Sequence, residues 1–256
     1  MRSLLLTVVA ALLIGATGSL AVPALEKDRN ALWKIVHNIC VRHWVSSDDA
    51  WPCALIVASD ESENGVAILK DIRGKSQFLA IVTSRISGIE SSALEGPTAP
   101  NLFGAAWDAR TFVFDRLGKV LPRDNVGLAI NSALRRSQDQ VHIHIDCLKP
   151  DARDIISKRA TELGSEWSEE LFIVDAPYRA RRLDGLDLSK NNPFDLVAEY
   201  LASHGQELRR ASIVVAGIGS EDNKPGFIVL LGLADESHLA FGHDENLLDH
   251  ECKLAD

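Results

Sequence analysis

The feature that most constrains the fold is an alternating stretch at residues 140–146, Gln-Val-His-Ile-His-Ile-Asp. Successive side chains of a β-strand point to opposite faces, so this pattern predicts a strand with one apolar and one polar face. The polar face carries Gln140, His142, His144 and Asp146, about 6.7 Å apart from one to the next. The apolar face predicts that the strand packs against a hydrophobic core.

Three interpretations of the polar row remain open on spacing alone. The row is a solvent-facing strand edge, or it is a metal site in which His142, His144 and Asp146 supply the ligands. In the third interpretation, a histidine attacks phosphorus while its neighbours hold the ring and the phosphate oxygens. His-x-His is a weak signal that does not separate the last two.

The context of the strand is more specific. A strand at residues 126–132 and a polar, basic loop come before it. Together they resemble the signature of the histidine-triad superfamily, in which the middle of three alternating histidines forms a covalent nucleotidyl intermediate. His142 takes the middle position and His144 the third, whereas Gln140 replaces the first, so the chain departs from the strict triad. The resemblance implies an α+β fold, an antiparallel sheet with packed helices.

Further motifs narrow the resemblance to one family. The chain resembles the bacterial CDP-diacylglycerol pyrophosphatases from about residue 30 to its C-terminus, on the segments 65–85, 100–103, 106–110, 150–153 and 180–182. The resemblance implies hydrolysis of the diphosphate bond of CDP-diacylglycerol, a membrane lipid, to CMP and phosphatidate. His142 would carry a covalent cytidylyl group, and no metal or other cofactor is implied.

The resemblance also implies which residues form the site. His142, His144 and Gln140 are the expected catalytic residues. The expected substrate contacts are polar residues at strand ends and in the loop before the histidine strand: Lys70, Asp71, Asn131, Ser132, Arg135, Arg136 and Gln138. A solvated turn is the competing interpretation of Lys70 and Asp71.

Alternative functions stay open at this point. A nucleotidyl transferase would pass CMP to an acceptor other than water, and a metal-dependent phosphoesterase would use the histidines as ligands. A third alternative is a non-catalytic exported protein that binds lipid or nucleotide. The net charge of −9 argues against a general nucleic-acid binder, so an anionic substrate must meet a local cluster of Arg and Lys. Arg135, Arg136, Lys149 and Arg153 supply such a cluster.

The N-terminus predicts export. Residues 4–22 are uncharged and long enough, as a helix, to cross about 28 Å. We therefore divide the chain into a signal sequence or transmembrane anchor at residues 1–24 and a catalytic domain at 25–256. Because the implied substrate is a lipid, we expect a single anchor in the bacterial inner membrane with the domain on the periplasmic side. Secretion to the periplasm after cleavage near Ala21 is the alternative.

Four cysteines in an exported chain predict two disulfides, for which three pairings are possible. We favour Cys40–Cys53, which closes a local loop, and Cys147–Cys252, which ties the C-terminal tail to the histidine strand. Cys147 has the parity of the apolar face, which argues against a catalytic thiolate.

The domain is expected to consist of a core unit at residues 25–150 and an accessory half at 151–256. The patterns predict helices at 26–44, 101–117, 153–167 and 192–204, and strands at 54–58, 66–69, 78–83, 212–217 and 227–233. We interpret the second half as a degenerate unit that packs on the first and replaces the partner subunit of dimeric histidine-triad proteins. The oligomeric state itself stays open. No recognisable spacing relates the remaining histidines of the second half, so we expect them to be surface groups: His204, His238, His243 and His250.

Overall fold

The computed structural model describes residues 28–57, 65–219, 225–239 and 241–256. The signal sequence or anchor predicted at residues 1–24 lies outside this described part. Within it, no helix is both long and apolar enough to cross a membrane.

The architecture is α+β, built on one large antiparallel sheet. Ten strands are described: β1 Leu55–Val57, β2 Val66–Lys70, β3 Phe78–Val82, β4 Val126–Ile130, β5 His142–Leu148, β6 Leu171–Ile173, β7 Ala176–Asp184, β8 Ala211–Ile218, β9 Gly226–Leu233 and β10 Leu248–Asp249. The predicted histidine strand is β5, and each strand predicted from the second half of the chain is present within two residues of its expected bounds.

Two of the described helices precede the first strand, and the other four lie between strands along the chain. They are α1 Ala31–Ile35 and α2 Val41–Ser47, joined by a π-helical turn, then α3 Leu102–Asp108, α4 Arg110–Leu117, α5 Pro150–Arg159 and α6 Pro193–Ser203. The helix predicted at 153–167 begins earlier, because Pro150 suits the first helical turn. It also ends earlier, because residues 164–168 hydrogen-bond to β7.

The strand order contains a repeat. The sheet runs β1-β2-β3-β5-β4-β8-β9-β7-β6, and β10 pairs with the end of β5. The four strands β2-β3-β5-β4 have the same order as β6-β7-β9-β8, and the two sets meet at the antiparallel pair of β4 and β8. Two units of equal strand order therefore share one continuous sheet.

The two faces of the sheet are covered by different hydrophobic clusters. The apolar residues of β5 join a large core with α3, α4 and α6, whose members include Ile143, Ile145, Trp107 and Phe194. The opposite face carries one apolar cluster under the N-terminal helices and another under α5. Cross-strand pairing joins Leu79 to His144 and His144 to Ala129, so the histidine row lies between these two clusters.

Both favoured disulfides are present, Cys40–Cys53 and Cys147–Cys252. Cys147 belongs to the apolar core on the face opposite the histidines, as its parity predicted. The second bridge and the pairing of β10 with β5 hold the C-terminal segment against the end of the histidine strand.

Candidate active site

The polar row of β5 is buried. His142 and His144 are 8% and 5% exposed, and Gln140 and Asp146 are fully buried. The interpretation as a solvent-facing strand edge is therefore wrong. The strand is not an edge because β5 lies between β3 and β4 inside the sheet.

Among the described residues, one ring nitrogen of His142 has a hydrogen-bond partner and the other has none. Its Nδ1 lies 2.7 Å from the carbonyl oxygen of Gln140. Because a carbonyl only accepts, Nδ1 carries the proton and Nε2 keeps its lone pair. Burial lowers the pKa of His142, opposed by that hydrogen bond. His142 is thus a neutral imidazole with a nucleophilic nitrogen near pH 7.

His144 has the opposite tautomer. The Gln77 amide nitrogen, 3.0 Å from His144 Nδ1, also lies 2.5 Å from a carboxylate oxygen of Asp71. Since a carboxylate needs a donor, the amide nitrogen faces Asp71 and donates its second proton to Nδ1. Nε2 of His144 therefore carries the proton. Burial, and next the neighbouring His142, lower the pKa of His144 to about 3, so this ring is neutral as well.

Glu245 faces His144 from the C-terminal segment. Its Oε2 lies 3.5 Å from Nε2 of His144. Asn131 holds Glu245 in place, since the Asn131 amide donates to the carboxylate and accepts from the backbone N–H of Glu245. Burial would raise the pKa of Glu245, but the imidazoles of His243 and His250, whose Nε2 atoms lie 3.6 and 3.4 Å from the carboxylate, hold this pKa well below its usual range. The carboxylate is thus ionised at neutral pH.

His250 lies between two carboxylates. Its Nδ1 is 3.2 Å from Asp146, and its Nε2 is 3.4 Å from Glu245. The hydrogen bond with Asp146, and next the nearby carboxylate of Glu245, raise the pKa of His250 to about 9, so the ring is a cation at neutral pH. The expectation of a surface group is therefore wrong for His250, because the C-terminal segment folds back over β5. Burial raises the pKa of Asp146, whose other contacts include the Ser76 hydroxyl.

Of the expected substrate contacts, Asp71 and Asn131 lie in this cluster, through Gln77 and Glu245 respectively. Ser132 is buried, and its hydroxyl makes no hydrogen bond within the described part of the chain. The side-chain amide of Gln140 donates to the carbonyl oxygens of Val82 and Ser84. Gln140 thus acts on His142 through its backbone carbonyl.

The other expected contacts bond to protein groups. Lys70 donates to backbone carbonyls of its own loop, and its register with Phe78 and Ile145 places it on the face opposite His144. Arg135 donates to the carbonyl oxygens of Asp235 and Phe241. Arg136 pairs with Glu90 and Asp139, and Gln138 accepts from the backbone of Leu32 and donates to that of Asp28. These four side chains brace loops next to the site.

One group of side chains has the composition of a metal site. Single ligand atoms of Asp71, His144 and Glu245 lie within 4.8 Å of one another. This set shares only His144 with the ligands that the sequence suggested. The Gln77 amide nitrogen contacts both Asp71 and His144, so the polar atoms on that side already have a protein partner.

Sequence reasoning missed Gln77, Glu245 and His250. One signal for the last two was present, because both precede Cys252 closely and the predicted Cys147–Cys252 bridge attaches that segment next to Asp146. Gln77 gave no comparable signal. Beside these residues lies a cavity of about 330 Å³, lined by Arg73, Lys149, His243, Glu245, Asn246, Leu248, Asp249, His250 and Glu251.

Buried neutral imidazoles with one available nitrogen are the chemistry of enzymes that use histidine as nucleophile or general base. The fold and the site are therefore those of an α+β protein whose candidate active site is a buried pair of histidines. Residues 27–256 match the family model described as CDP-diacylglycerol pyrophosphatase. A curated relative from Yersinia pestis with the same name is 33% identical over 228 residues, which is 89% of this chain and 85% of the relative. The chain belongs to the CDP-diacylglycerol pyrophosphatase family.

Proposed function

We propose that the protein hydrolyses CDP-diacylglycerol to CMP and phosphatidate through a cytidylyl group carried on Nε2 of His142. Family membership supports the reaction, and the hydrogen bond from His142 Nδ1 to the Gln140 carbonyl is the observation that supports the nucleophile. That bond leaves Nε2 unprotonated without any need for a separate base.

The first step forms a nitrogen–phosphorus bond and breaks a phosphorus–oxygen bond. The lone pair of His142 Nε2 attacks the phosphorus bonded to cytidine, and the bond from this phosphorus to the bridging oxygen breaks. Phosphatidate leaves with that oxygen and the electron pair. The ring becomes positively charged, and the Gln140 carbonyl, which accepts from Nδ1–H, stabilises this charge where it develops.

His144 is suited to the negative charge on the phosphoryl oxygens. Its Nε2–H, held in that tautomer by Gln77, is a donor that remains neutral at pH 7. A preorganised donor in a buried site stabilises developing charge more than water does. The buried hydroxyl of Ser132 is a second candidate donor.

The second step regenerates the enzyme. Water attacks the same phosphorus, the nitrogen–phosphorus bond breaks, and the electron pair returns to Nε2. CMP leaves with the oxygen of water, whose surplus proton passes to solvent. His142 keeps the Nδ1 proton throughout, so the ring returns to its starting tautomer.

The test is rapid-quench mass spectrometry of the full-length protein during turnover of CDP-diacylglycerol with excess EDTA. The quench uses denaturant at alkaline pH, because a phosphoramidate is labile in acid. We expect a mass increase of one cytidylyl group on the peptide that contains His142. The adduct should be absent in His142→Asn and unchanged in His204→Asn, which alters an exposed histidine remote in sequence from the site.

Three other outcomes of this experiment would each support a different mechanism or function. Turnover in His142→Asn without an adduct would exclude the covalent route and leave direct attack by water. An adduct that passes to an added alcohol faster than to water would identify a nucleotidyl transferase. Binding of CDP-diacylglycerol with no products would indicate a non-catalytic binding protein.

A second candidate function rests on Asp71, His144 and Glu245, whose spacing is compatible with a divalent cation. In this alternative, a metal-dependent phosphoesterase would lose all activity in EDTA and regain it when a divalent metal is added. Gln77 argues for the first candidate, since its contacts with Asp71 and His144 already satisfy that side of the cluster.

The proposal extends to the architecture. The repeated strand order supports a histidine-triad-like unit, followed by a degenerate second unit in the place of a partner subunit. In the second unit β9 takes the position of β5, and on the histidine face it carries Ile228 and Leu230 in an apolar cluster. The second half would thus keep the sheet and not the site.

The location is proposed on the sequence alone. The uncharged segment at residues 4–22 favours a single anchor in the inner membrane, with the domain on the periplasmic side and its lipid substrate in the same bilayer. Disulfides in the domain are consistent with an oxidising compartment.

A further inference from the structure

The loop between β2 and β3 joins the site to the protein surface. At its start, Asp71 contacts Gln77, which in turn contacts His144. The next residue, Ile72, is 100% exposed. A fully exposed aliphatic side chain thus lies one residue from the network that orients a catalytic histidine.

The loop that carries Ile72 is tied down on both sides. The Lys70 ammonium donates to the carbonyl oxygens of Asp71 and Gly74, and the Asp71 carboxylate accepts from the backbone of Arg73. Lys75 donates its backbone N–H to the carbonyl of His250. These bonds hold the loop in one shape, so Ile72 stays directed away from the protein.

Two exposed cations accompany Ile72. Arg73 and Lys75 lie in the same loop, in a chain whose net charge is −9. Arg73 also lines the cavity next to His243, Glu245 and His250. A single exposed apolar residue is ordinary on a protein surface. An apolar residue followed by two cations, in a loop beside the site, has the composition that binds an anionic bilayer, where the apolar group enters and the cations meet headgroups.

We propose that Ile72, Arg73 and Lys75, the docking tip, bind the surface of an anionic phospholipid bilayer and place the mouth of the site at headgroup level. The proposal rests on the proposed function, because a lipid substrate must present its diphosphate to His142 while its acyl chains stay in the bilayer. Binding of the docking tip to the bilayer fixes the orientation of the site relative to the membrane.

The first test compares two forms of one substrate with the full-length protein. Ile72→Ser should lower turnover of long-chain CDP-diacylglycerol in phosphatidylglycerol-containing vesicles about tenfold. Turnover of a short-chain, water-soluble CDP-diacylglycerol should be unchanged. Phe172→Ser is the matched control, because Phe172 is also strongly exposed but lies on β6, at the other edge of the sheet. We expect no effect of this control on either substrate.

The second test measures contact with lipid directly and does not depend on activity. A nitroxide on Ile72→Cys should gain accessibility to oxygen, and lose accessibility to a water-soluble nickel complex, when vesicles are present. The same label on Phe172→Cys should show no change. Replacing Arg73 and Lys75 together by Ser should remove the dependence of vesicle turnover on the phosphatidylglycerol fraction.

Three results would overturn the proposal. Equal losses on the soluble and the vesicle substrate would give Ile72 a role inside the site. Full vesicle turnover by Ile72→Ser would mean that the docking tip is dispensable, and a label that stays accessible to the nickel complex would mean that it does not enter lipid. Failure of the unmodified protein to hydrolyse the soluble substrate would contradict the proposed function instead, while the nitroxide measurement would still decide the docking.

Discussion

The amide nitrogen of Gln77 lies 3.0 Å from Nδ1 of His144 and 2.5 Å from the carboxylate of Asp71. One amide therefore links an acid in the β2–β3 loop to the tautomer of a histidine on β5. His142 obtains the opposite tautomer from the backbone carbonyl of Gln140. The two neighbouring imidazoles, whose ring centroids are 4.9 Å apart, thus carry their protons on different ring nitrogens.

Gln77→Met should remove the donor to His144 while keeping most of the side-chain volume. The proton of His144 would then distribute between both ring nitrogens, and kcat should fall about ten- to a hundredfold, less than the roughly hundred- to thousandfold loss when a charge-stabilising donor is removed outright. Nitrogen-15 NMR of the imidazoles reports the tautomer, and steady-state kinetics on soluble substrate report the rate. Retention of the Nε2–H tautomer in the variant would contradict the role assigned to Gln77.

His250 should make stability depend on pH. Its pKa is raised from 6.5 to about 9, so its contribution is fully present below pH 6.5 and is lost as pH rises through about 9. Because the ring is one-third exposed, screening limits this contribution to about 1–2 kcal/mol. His250→Gln should therefore lower the free energy of unfolding at pH 6, with a smaller difference above pH 9. Denaturant titration of both proteins across this range tests the sign, and an equal difference at both pH values would refute it.

The Cys147–Cys252 bridge should matter for activity as well as for stability. It closes a loop with a sequence separation of 105 residues, for which the chain-entropy model gives about 4–5 kcal/mol, and observed values are often lower. Replacing both cysteines by Ser should loosen the segment that carries Glu245 and His250, and so lower kcat as well as the melting temperature. Removal of Cys40–Cys53 is the control, since we expect it to lower the melting temperature with a smaller effect on kcat. Equal loss of kcat in the two double variants would mean that the C-terminal bridge has no special relation to the site.

Arg136 should contribute to stability more than to substrate binding. Its guanidinium is mostly buried and pairs with Glu90 and Asp139. Arg136→Gln should lower the free energy of unfolding by about 1–3 kcal/mol with kcat/KM changed less than threefold. Arg159→Gln is the matched control, because it breaks an exposed pair worth about 0.5 kcal/mol or less. A large loss of kcat/KM with unchanged stability would instead support the substrate contact that the resemblance implies.

The sequence by itself determined the elements whose signals are local. Alternation at residues 140–146 predicted β5 and its two faces, because the side-chain period of a strand is two and any apolar face must be buried. The parity of Cys147 followed from the same period. The ends of helices were predicted less well, as in α5. Where a helix ends depends on whether the residues that follow it hydrogen-bond to another part of the fold.

Only the tertiary structure decided which polar groups surround the histidines. Gln77 is 67 residues from His144 along the chain, and His250 is 104 residues from Asp146. No periodicity reaches across such separations, because these contacts arise only when the β2–β3 loop and the disulfide-bonded tail fold against β5. His142, the nucleophile that we propose, was suggested by a strand pattern and a family resemblance. The protonation state of His142 and the positive charge of His250 follow from burial and from hydrogen-bonding partners. Folding alone brings these partners together.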